Sequence, residues 1–416
     1  MIQVANKIDI GRNACSVERC TATNHGDAVI VGTYELDEAS STRSGNLQLF
    51  RISDHMQGDE HADTHLAQGS EEPAVGCVSN CNVLEMPYGG VLDAKWDPSG
   101  ALSTGEAILA CATANGSLVL VKLTPDWRQI EADGTNVQPH PLQIVSATEP
   151  AGHLFLAVDW NNRPTCCLED PGSQSPPTSS AEASGALLGV SEAQGCLSIW
   201  RSSRDGDGLF LEHRWEAHTL CGVPSECWSI AFNPWDPCQL FSGADDQCLK
   251  GWDLRCIDSS SDSTSSSMAA ISVDKTSHEA GVTAISFSPW DENMLVTGSY
   301  DGFLRFWDLR KLGQGRNAKP VSTTDIGGGI WRIKWHPTCP VMAVAGMHSG
   351  AHIVPSTSTT EFFHLRYEGH ESMVYGIDWC RDFTSNAGQK EEQQSWGTLM
   401  SCSFYDHSVH YWSCGH

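Results

Sequence analysis

The 416-residue sequence predicts an all-β protein built from repeated units, and three observations lead to this expectation. Short apolar segments alternate with turns rich in Gly, Asp, Asn and Pro, which is typical of strands joined in hairpins. Two kinds of segment recur, and they alternate strictly along the chain. Hydrophobic residues make up 40% and charged residues 18% of the sequence, which is an ordinary balance for a folded globular protein.

The first kind of segment is an apolar strand that ends in a bend. Its copies are 92–98 (LDAKWDP), 156–162 (LAVDWNN), 228–234 (WSIAFNP), 283–289 (TAISFSP), 331–337 (WRIKWHP), 375–381 (YGIDWCR) and a weaker 14–20 (ACSVERC). The second kind is a short strand that follows a turn. Its seven copies lie near Leu47, Leu118, Leu197, Leu249, Leu304, His352 and Val409. Because seven copies of each alternate, the sequence predicts a seven-bladed WD-repeat β-propeller.

The copies are spaced more widely than the roughly 40–45 residues of a compact WD blade. Polar inserts explain the difference, and we expect them as loops near 53–82, 169–185, 256–268 and 384–396. We therefore expect a single propeller domain over residues 1–416. The N-terminal segment 2–10 (IQVANKIDI) is placed to supply the outer strand of the last blade, which would close the ring and remove an exposed sheet edge.

The charge balance of the chain restricts its partners. With 25 basic and 51 acidic residues the formal net charge is −26, which disfavours nucleic acid and favours a partner with a basic surface. No apolar run approaches the roughly 20 residues of a membrane span. The 17 cysteines lack the paired CxxC spacing of a zinc site. We expect a cytoplasmic protein with reduced thiols and with no cofactor, metal, membrane or nucleic-acid partner.

The most conspicuous polar residues of the repeats fit a structural role. A turn Asp, a strand Trp and a preceding His recur in three units, as Asp246, Trp252 and His218, Asp301, Trp307 and His278, and Asp406, Trp412 and His370. In WD-repeat proteins these residue types hydrogen-bond with a Ser or Thr and so tie each blade together. Because buried polar groups are retained when they are hydrogen-bonded, we assign these residues to the scaffold.

The sixth unit departs from this pattern. Aligning its turn, 346–350 (GMHSG), on the fifth turn, 298–302 (GSYDG), places His348 and Ser349 where the fifth unit has Tyr and Asp. Pro355 replaces the strand Trp, and no His precedes the inner strand. We expect that this blade lacks the internal tie and presents both side chains at its turn. The alternative is a degenerate blade without a functional role.

Aromatic residues begin three of the inner strands, where a propeller channel opens among the connecting loops. A carboxylate and a run of three glycines precede two of them, and glycines allow a ligand or backbone to approach closely. The predicted substrate contacts are Trp228, Glu226, Trp331, Tyr375, Gly328 and Gly329. Aromatic faces beside a carboxylate are typical of sites for quaternary ammonium groups, and an aromatic-rimmed peptide site is the alternative.

Five stretches carry a more specific resemblance. They are VGTYEL (31–36), GGGIWRIKWHP (327–337), AGMHSG (345–350), SMVYGIDW (372–379) and SCSFYDHSVHYW (401–412). From residue 31 to residue 412 the chain resembles the diphthine methylesterase family, the WD-repeat proteins of diphthamide biosynthesis. The resemblance implies hydrolysis of the methyl ester of methylated diphthine on elongation factor 2, with release of methanol. That substrate carries a trimethylammonium group beside the ester, which suits the aromatic residues, and a basic translation factor suits a negatively charged chain.

Two hypotheses for the chemistry follow from the residues. In the first, His348 is the general base and activates a water molecule or the adjacent Ser349, while backbone N–H groups of 327–329 polarise the ester carbonyl. Adjacent residues rarely aim at one another, so water is preferred. In the second, His407 and Asp406 form an acid–base pair. The sequence contains neither a G-x-S-x-G nor an H-E-x-x-H motif.

A scaffold without catalytic activity is the competing hypothesis, because fold alone does not establish function. Such a protein would present elongation factor 2 to other diphthamide-pathway proteins, or act as the substrate receptor of a ubiquitin ligase and bind its adaptor. The WDLR sequences at 252–255 and 307–310 suit adaptor docking, and they suit ordinary strand ends equally well. A methyltransferase is disfavoured because no glycine-rich nucleotide loop follows a strand.

Overall fold

Seven four-stranded sheets dominate the computed structural model, together with two short hairpins. The structure describes residues 2–22, 24–53, 76–98, 106–129, 140–162, 186–203, 208–257, 268–312, 318–356, 364–381 and 395–415. The inner strands of neighbouring sheets lie side by side around a closed ring, including the first and the last. The predicted seven-bladed β-propeller is therefore confirmed.

Each blade contributes an inner strand, two middle strands and an outer strand. In blades 1 to 3 these are β2 (Ala14–Arg19), β3 (Ala28–Thr33), β6 (Asn46–Ser53) and β7 (Cys77–Glu85); β8 (Val91–Trp96), β9 (Ala107–Thr113), β10 (Leu118–Leu123) and β11 (Leu142–Ala147); and β12 (Phe155–Trp160), β13 (Leu187–Glu192), β14 (Cys196–Ser202) and β15 (Leu209–Glu216). Both predicted series of segments match these elements, since the bend-ended segments are inner strands and the others are third strands.

The remaining blades repeat the same order. Blades 4 to 6 consist of β18 (Ser229–Asn233), β19 (Asp236–Gly243), β20 (Leu249–Asp253) and β21 (Ser272–Asp274); β22 (Val282–Phe287), β23 (Met294–Ser299), β24 (Phe303–Asp308) and β25 (Ser322–Asp325); and β26 (Arg332–Trp335), β27 (Val341–Ala345), β28 (Ala351–Pro355) and β29 (Leu365–Tyr367). Blade 7 contains β30 (Val374–Arg381), β31 (Ser395–Ser403), β32 (Ser408–Gly415) and, as its outer strand, β1 (Ile2–Asp9).

The N-terminal strand closes the ring as the sequence predicts. It pairs antiparallel with β32, so that Ile2 lies opposite Cys414 and Asp9 lies opposite Ser408. The two ends of the described chain therefore share one sheet, and this pairing covers an edge that β32 would otherwise expose.

The remaining elements are short. Two hairpins, β4 (Glu35–Asp37) with β5 (Thr42–Ser44) and β16 (Thr219–Leu220) with β17 (Val223–Pro224), extend connections at the rim. The helical turns are Trp127–Gln129, Leu254–Cys256 and Leu309–Leu312. No helix in the described part of the chain has the length and apolar character needed to cross a bilayer.

The predicted inserts lie largely outside the described residues, but several of their boundaries need correction. Ser53 is the last residue of β6, and Cys256 belongs to a helical turn. Residues 77–82 were assigned to the first insert and belong to β7, while residues 395–396 were assigned to the last and belong to β31. Residues 77–82 form a strand because the side chain of Val78 is buried in a core shared by blades 1 and 7, which a polar loop would not allow.

Neighbouring blades are joined by a repeated pair of hydrogen bonds from their inner strands. The indole N–H of Trp160 donates to the carbonyl of Lys95 in the preceding blade at 2.9 Å. The carboxylate of Asp159 accepts the backbone N–H of Phe232 in the following blade at 2.8 Å. Equivalent bonds are made by Trp96, Trp379, Asp93 and Asp378. Inner-strand Asp and Trp residues therefore connect the blades around the ring.

The predicted ties within the blades are present in blades 4, 5 and 7, but among the described residues the turn Asp hydrogen-bonds to the His only in blade 4. Asp301 and Asp406 instead accept backbone N–H groups. In blade 4, His218 Nδ1 lies 2.9 Å from the Asp246 carboxylate, and its Nε2 lies 2.7 Å from Ser242 Oγ, which also accepts the Trp252 indole N–H at 2.8 Å. Blade 5 joins its His and Trp through a Thr, and blade 7 through a Ser. These residues serve the scaffold, as expected.

Candidate functional site

The turn of blade 6 packs against the glycine loop that precedes its own inner strand. The backbone N–H of Trp331 donates to the carbonyl of Ala345 at 2.8 Å, which holds the start of the inner strand beside the turn. A Cβ atom on Gly328 would lie 2.7 Å from a backbone oxygen of the turn, and one on Gly329 would lie 2.8 Å from the sulfur of Met347. Both positions therefore require glycine for packing as well as for any role toward a ligand.

His348 occupies the exposed tip of this turn. The preceding residue, Met347, is buried with a φ of 45°, and its backbone exchanges two hydrogen bonds of 3.2 and 3.1 Å with Val374. This pairing fixes the turn against blade 7 and leaves the imidazole of His348 in solvent. His348 consequently lies at the rim that carries Trp331.

Ser349 is directed into the blade, and the expectation for blade 6 is wrong on this point. Its side chain is 3% exposed, and its Oγ donates to the carbonyl of Gly346 at 2.7 Å and lies 2.9 Å from His352 Nε2. His352 Nδ1 in turn lies 2.8 Å from His364 Nε2. Blade 6 has therefore not lost its internal tie. It contains a Ser349–His352–His364 brace built from different residue types.

The protonation of this brace follows from its geometry. Because the Ser349 hydroxyl gives its proton to a carbonyl, His352 Nε2 acts as the donor toward Oγ, and His364 donates to His352 Nδ1. Burial, followed by the neighbouring His364 and Arg366, lowers the pKa of His352 to about 4. His352 is therefore neutral at pH 7, but the nitrogen that faces Ser349 carries a proton and is a poor base for it.

Five aromatic side chains form a continuous array across the mouth of the channel. Trp228, Tyr300 and Trp331 form a triangle, with the Trp228 ring centroid 6.1 Å from that of Tyr300 and 5.5 Å from that of Trp331, and with 6.0 Å between Tyr300 and Trp331. Trp331 continues to Tyr375 at 4.8 Å, and Tyr375 continues to Phe404 at 5.1 Å. We call these five residues the mouth array. The structure thus brings together the three predicted aromatics.

Tyr300 and Phe404 were missed by the sequence analysis. Tyr300 lies in the YDG turn of blade 5 and Phe404 lies in the corresponding turn of blade 7, where only the turn Asp had been assigned a role. Trp228 and Trp331 meet across blade 5 because the equivalent position there is the small residue Thr283. The sequence could have indicated both residues, because the turns between second and third strands lie at the same rim of a propeller as the starts of the inner strands.

Two carboxylates border the mouth array on the side of blade 4. Asp245, which the sequence analysis also missed, accepts the indole N–H of Trp228 on Oδ1 at 2.6 Å. The backbone N–H of Asp245 donates to the carbonyl of Glu226 at 3.0 Å, so the two residues are neighbours. Burial and then the charge of Asp245 raise the pKa of Glu226 above its ordinary value. No ion pair to either carboxylate is found among the described residues.

The second predicted pair, Asp406 and His407, holds the turn of blade 7. Asp406 accepts the backbone N–H groups of Glu371 at 2.9 Å and Ser408 at 3.2 Å. Burial favours its neutral form, but these hydrogen bonds outweigh burial and keep the pKa of Asp406 below its ordinary value. His407 has a φ of 55°, as a turn residue in this position requires. No hydrogen bond joins the His407 ring to Asp406 in the described part of the chain.

Charged side chains cross the central channel below the mouth. Arg332 reaches Asp93 on the far side of the ring at 3.2 Å. Lys334 pairs with Glu18 and lies 3.4 Å from Asp378. These groups line a cavity of about 310 Å³ that continues along the channel. The opposite charges satisfy one another, so the channel interior presents no unbalanced cation beneath the aromatic side chains.

Comparison with known proteins identifies the repeats and close relatives. The family model described as "WD domain, G-beta repeat" matches residues 211–253 and 271–308. A Dictyostelium discoideum protein named "Diphthine methyltransferase homolog" is 30% identical over 399 residues, covering 92% of both chains. Mouse "Diphthine methyltransferase" is 27% identical over 401 residues, covering 92% of this chain and 71% of its own length. The Saccharomyces cerevisiae protein of that name is 25% identical and covers 94% of each chain.

A solved structure supports the architecture. A chain of the mitotic checkpoint complex aligns over 99% of this chain and 91% of its own length, with a TM-score of 0.58 and 14% sequence identity. At that identity the similarity establishes the propeller fold and nothing about activity.

Proposed function

Because the chain belongs to the family of WD-repeat proteins named diphthine methyltransferase, we propose that it acts on methylated diphthine and removes the methyl group by hydrolysing the ester. The products are methanol and diphthine on elongation factor 2. The family supports a role in diphthamide biosynthesis, and the hydrolytic direction of the reaction is the part that we propose.

The observation that carries the proposal is the combination of Trp228, Tyr300 and Trp331 with the carboxylates of Asp245 and Glu226. A trimethylammonium group has no hydrogen to donate, so it is bound by aromatic faces and by nearby negative charge. Each cation–π contact contributes about 0.5–2 kcal/mol. Three rings and two carboxylates with no cationic partner among the described residues suit the substrate cation.

The chemistry is assigned to the turn of blade 6. His348 takes a proton from a water molecule, whose oxygen attacks the ester carbonyl and forms a C–O bond. As the bond between the carbonyl carbon and the methoxy oxygen breaks, the imidazolium returns the proton to the departing methoxide, and methanol leaves. Water is the nucleophile in this proposal because Ser349 is buried and its hydroxyl proton is committed to Gly346.

Backbone amides of the glycine loop are the proposed donors to the developing oxyanion. The N–H of Gly327 donates to Asp325 at 2.8 Å and is already used. No hydrogen bond from the N–H of Gly328 or Gly329 is found among the described residues, and both residues lie beside the turn that carries His348. Donors fixed by packing need no rearrangement as charge develops, which is the property that oxyanion sites exploit.

The proposed macromolecular partner is elongation factor 2. A net charge of −26 complements a basic protein surface and speeds the encounter at low ionic strength. Adaptor docking through the WDLR segments has less support, because Arg255 and Arg310 pair with Asp253 and Asp308 of their own strands at 2.8 Å.

A methanol-release assay on purified components tests the proposal. Incubating the protein with elongation factor 2 that carries methylated diphthine should release methanol. The mass of the modified residue should fall by the difference between a methyl group and a hydrogen atom. The same incubation with diphthine-modified factor and a methyl donor should leave the mass unchanged. A mass increase with the donor would assign methyl transfer instead, and no reaction in either direction would favour the scaffold.

Variants of two tryptophans in the same blade provide a matched control. Trp228→Leu removes a ring of the mouth array and should raise KM about 10- to 100-fold. Trp235→Leu removes a ring at the opposite end of the same blade, where its indole donates to the Ser288 carbonyl at 3.0 Å. KM should change less than about twofold in that control. Equal effects in the two variants would exclude the mouth array as the binding site.

A further inference from the structure

The two carboxylates at the mouth differ from the other acidic groups that the channel approaches. Asp93, Glu18 and Asp378 below the mouth are all paired with lysine or arginine. Asp245 instead accepts the Trp228 indole N–H, and no cation pairs with it or with Glu226 in the described part of the chain. The mouth therefore holds negative charge that the fold itself does not neutralise.

The other charged and titratable groups around the site do not change this balance. Arg332 is the cation beneath the mouth array, with its guanidinium 5.7 Å from the centroid of the Trp331 ring, but it is bound to Asp93 at 3.2 Å. Tyr300, close enough to both carboxylates to be affected by their charge, stays a neutral phenol, because burial, Tyr375, Asp245 and Glu226 all raise its pKa. Among the described residues, a ligand at the mouth consequently meets two carboxylates and no free positive charge.

We propose that Asp245 and Glu226 make the site selective for an ester over the corresponding acid, so that the protein binds its esterified substrate and expels its hydrolysed product. This inference rests on the proposed function, because it takes hydrolysis to be the reaction. Before hydrolysis the ligand head carries one positive charge and a neutral ester. After hydrolysis it is a zwitterion, and its new carboxylate is repelled by the two carboxylates at the mouth.

Simple electrostatics gives the size of the effect. A carboxylate held about 7 Å from each of two like charges near a solvated surface is disfavoured by an amount that corresponds to about tenfold in affinity, after allowance for salt screening. The rings of the mouth array bind the trimethylammonium group equally well in both ligands. Discrimination therefore comes from the two carboxylates, and product leaves without a change in the shape of the site.

Two small molecules test the selectivity for a neutral carbonyl group over a carboxylate without any catalytic step. Betaine amide is a trimethylammonium compound with a neutral carbonyl group, and betaine is the same compound with a carboxylate. Titrating each into the intact protein, with tryptophan fluorescence as the signal, should give a dissociation constant about tenfold lower for betaine amide at pH 7.5 and low salt. Raising the ionic strength should reduce the ratio, because the repulsion is screened.

The double variant Asp245→Asn with Glu226→Gln should bring the ratio of the two dissociation constants to within about twofold. The asparagine retains an acceptor for the Trp228 indole N–H, so the ring is expected to keep its position. Glu279→Gln is the matched control, because Glu279 is an exposed acid at the same rim, and it should leave the tenfold ratio intact. Near-UV circular dichroism confirms that each variant is folded.

Three results would overturn the inference. They are equal affinities for the two compounds in the unmodified protein, a ratio that survives in the folded double variant, and an absence of binding by either compound. Failure of the proposed function is a separate outcome, because it appears in the methanol assay. If the protein discriminates between the two compounds but releases no methanol, the selective cation site is supported and the proposed hydrolysis is contradicted.

Discussion

Blades 5 and 6 have turns of equal length but stabilise them with different side chains. In blade 5, Thr297 Oγ1 lies 2.9 Å from both His278 Nε2 and the Trp307 indole nitrogen, and the turn residue Asp301 pairs with Arg305 at 2.8 Å. In blade 6 a brace of Ser349, His352 and His364 connects the turn to the outer strand instead. Blade 6 therefore keeps an internal tie, but different residues make it at a different place in the sheet.

This difference shows how a repeat fold can release one position for function. Asp301 of blade 5 is committed to the blade, and the neighbouring Tyr300 contributes only its ring to the mouth array. In blade 6, Ser349 occupies the position of that Asp and serves the brace, while the preceding His348 remains exposed. A stable turn thus presents an imidazole at the rim at no cost to the internal hydrogen bonds of the blade.

Removing the imidazole of blade 6 is the change with the largest expected effect. His348→Ala should lower kcat for methanol release by about 100- to 10,000-fold, the range expected when a general base is lost. His407→Asn is the control, because asparagine tolerates the positive φ of that turn, and it should alter kcat less than about twofold. The reverse result would assign the chemistry to blade 7, and unchanged turnover in both would end the assignment to either histidine.

The hydroxyl of Thr297 in blade 5 should contribute more to the free energy of unfolding than the hydroxyl of Ser349 in blade 6. Thr297→Val removes the hydroxyl that hydrogen-bonds to both His278 Nε2 and the Trp307 indole N–H, and it should lower the free energy of unfolding by about 2–4 kcal/mol. Ser349→Ala should cost about 1 kcal/mol, because His352 Nε2 retains the Ser349 carbonyl at 3.0 Å. Urea unfolding at pH 7 measures both. Equal losses in the two variants would mean that the Ser349 carbonyl does not compensate His352 Nε2 for the lost hydroxyl.

Acid should destabilise both blades through their buried histidines. Burial, followed by Arg305, lowers the pKa of His278 to about 3, and burial with His364 and Arg366 lowers that of His352 to about 4. The unfolded chain, with a histidine pKa near 6.5, binds protons first as pH falls, so each residue removes about 1.4 kcal/mol of stability per pH unit below about 6.5.

Urea unfolding between pH 7 and pH 4.5 separates these contributions from those of other groups. His278→Gln and His352→Gln should each flatten the slope of stability against pH by about that amount over this window. The buried pair His370 and His410 is retained in both variants and supplies a constant background. A slope identical to that of the unmodified protein would show that the replaced histidine does not stay neutral in the folded state.

Sequence reasoning succeeded where one residue type has one structural meaning. The alternating apolar segments fixed all seven inner strands, and the segment 2–10 was correctly assigned as the closing strand. Trp228, Trp331 and Tyr375 were recognised because inner-strand starts converge on the channel in any propeller. Where a residue has two possible uses the reasoning failed, and Tyr300 is the example, since a tyrosine before a turn Asp fits scaffold and mouth equally well.

The pattern of residues along the chain determined the number of blades, the closure of the ring and the rim at which the loops gather, because strand period and turn chemistry are local properties. Only the tertiary structure decided which side chains meet across blades. Asp245 binds the Trp228 indole, and Ser349 and His352 face the interior of blade 6, because contacts between distant segments depend on packing, burial and the direction of each hydrogen bond. Those contacts leave the imidazole of His348 exposed at the turn of blade 6 and leave two carboxylates without a cation among the described residues on the blade 4 side of the mouth.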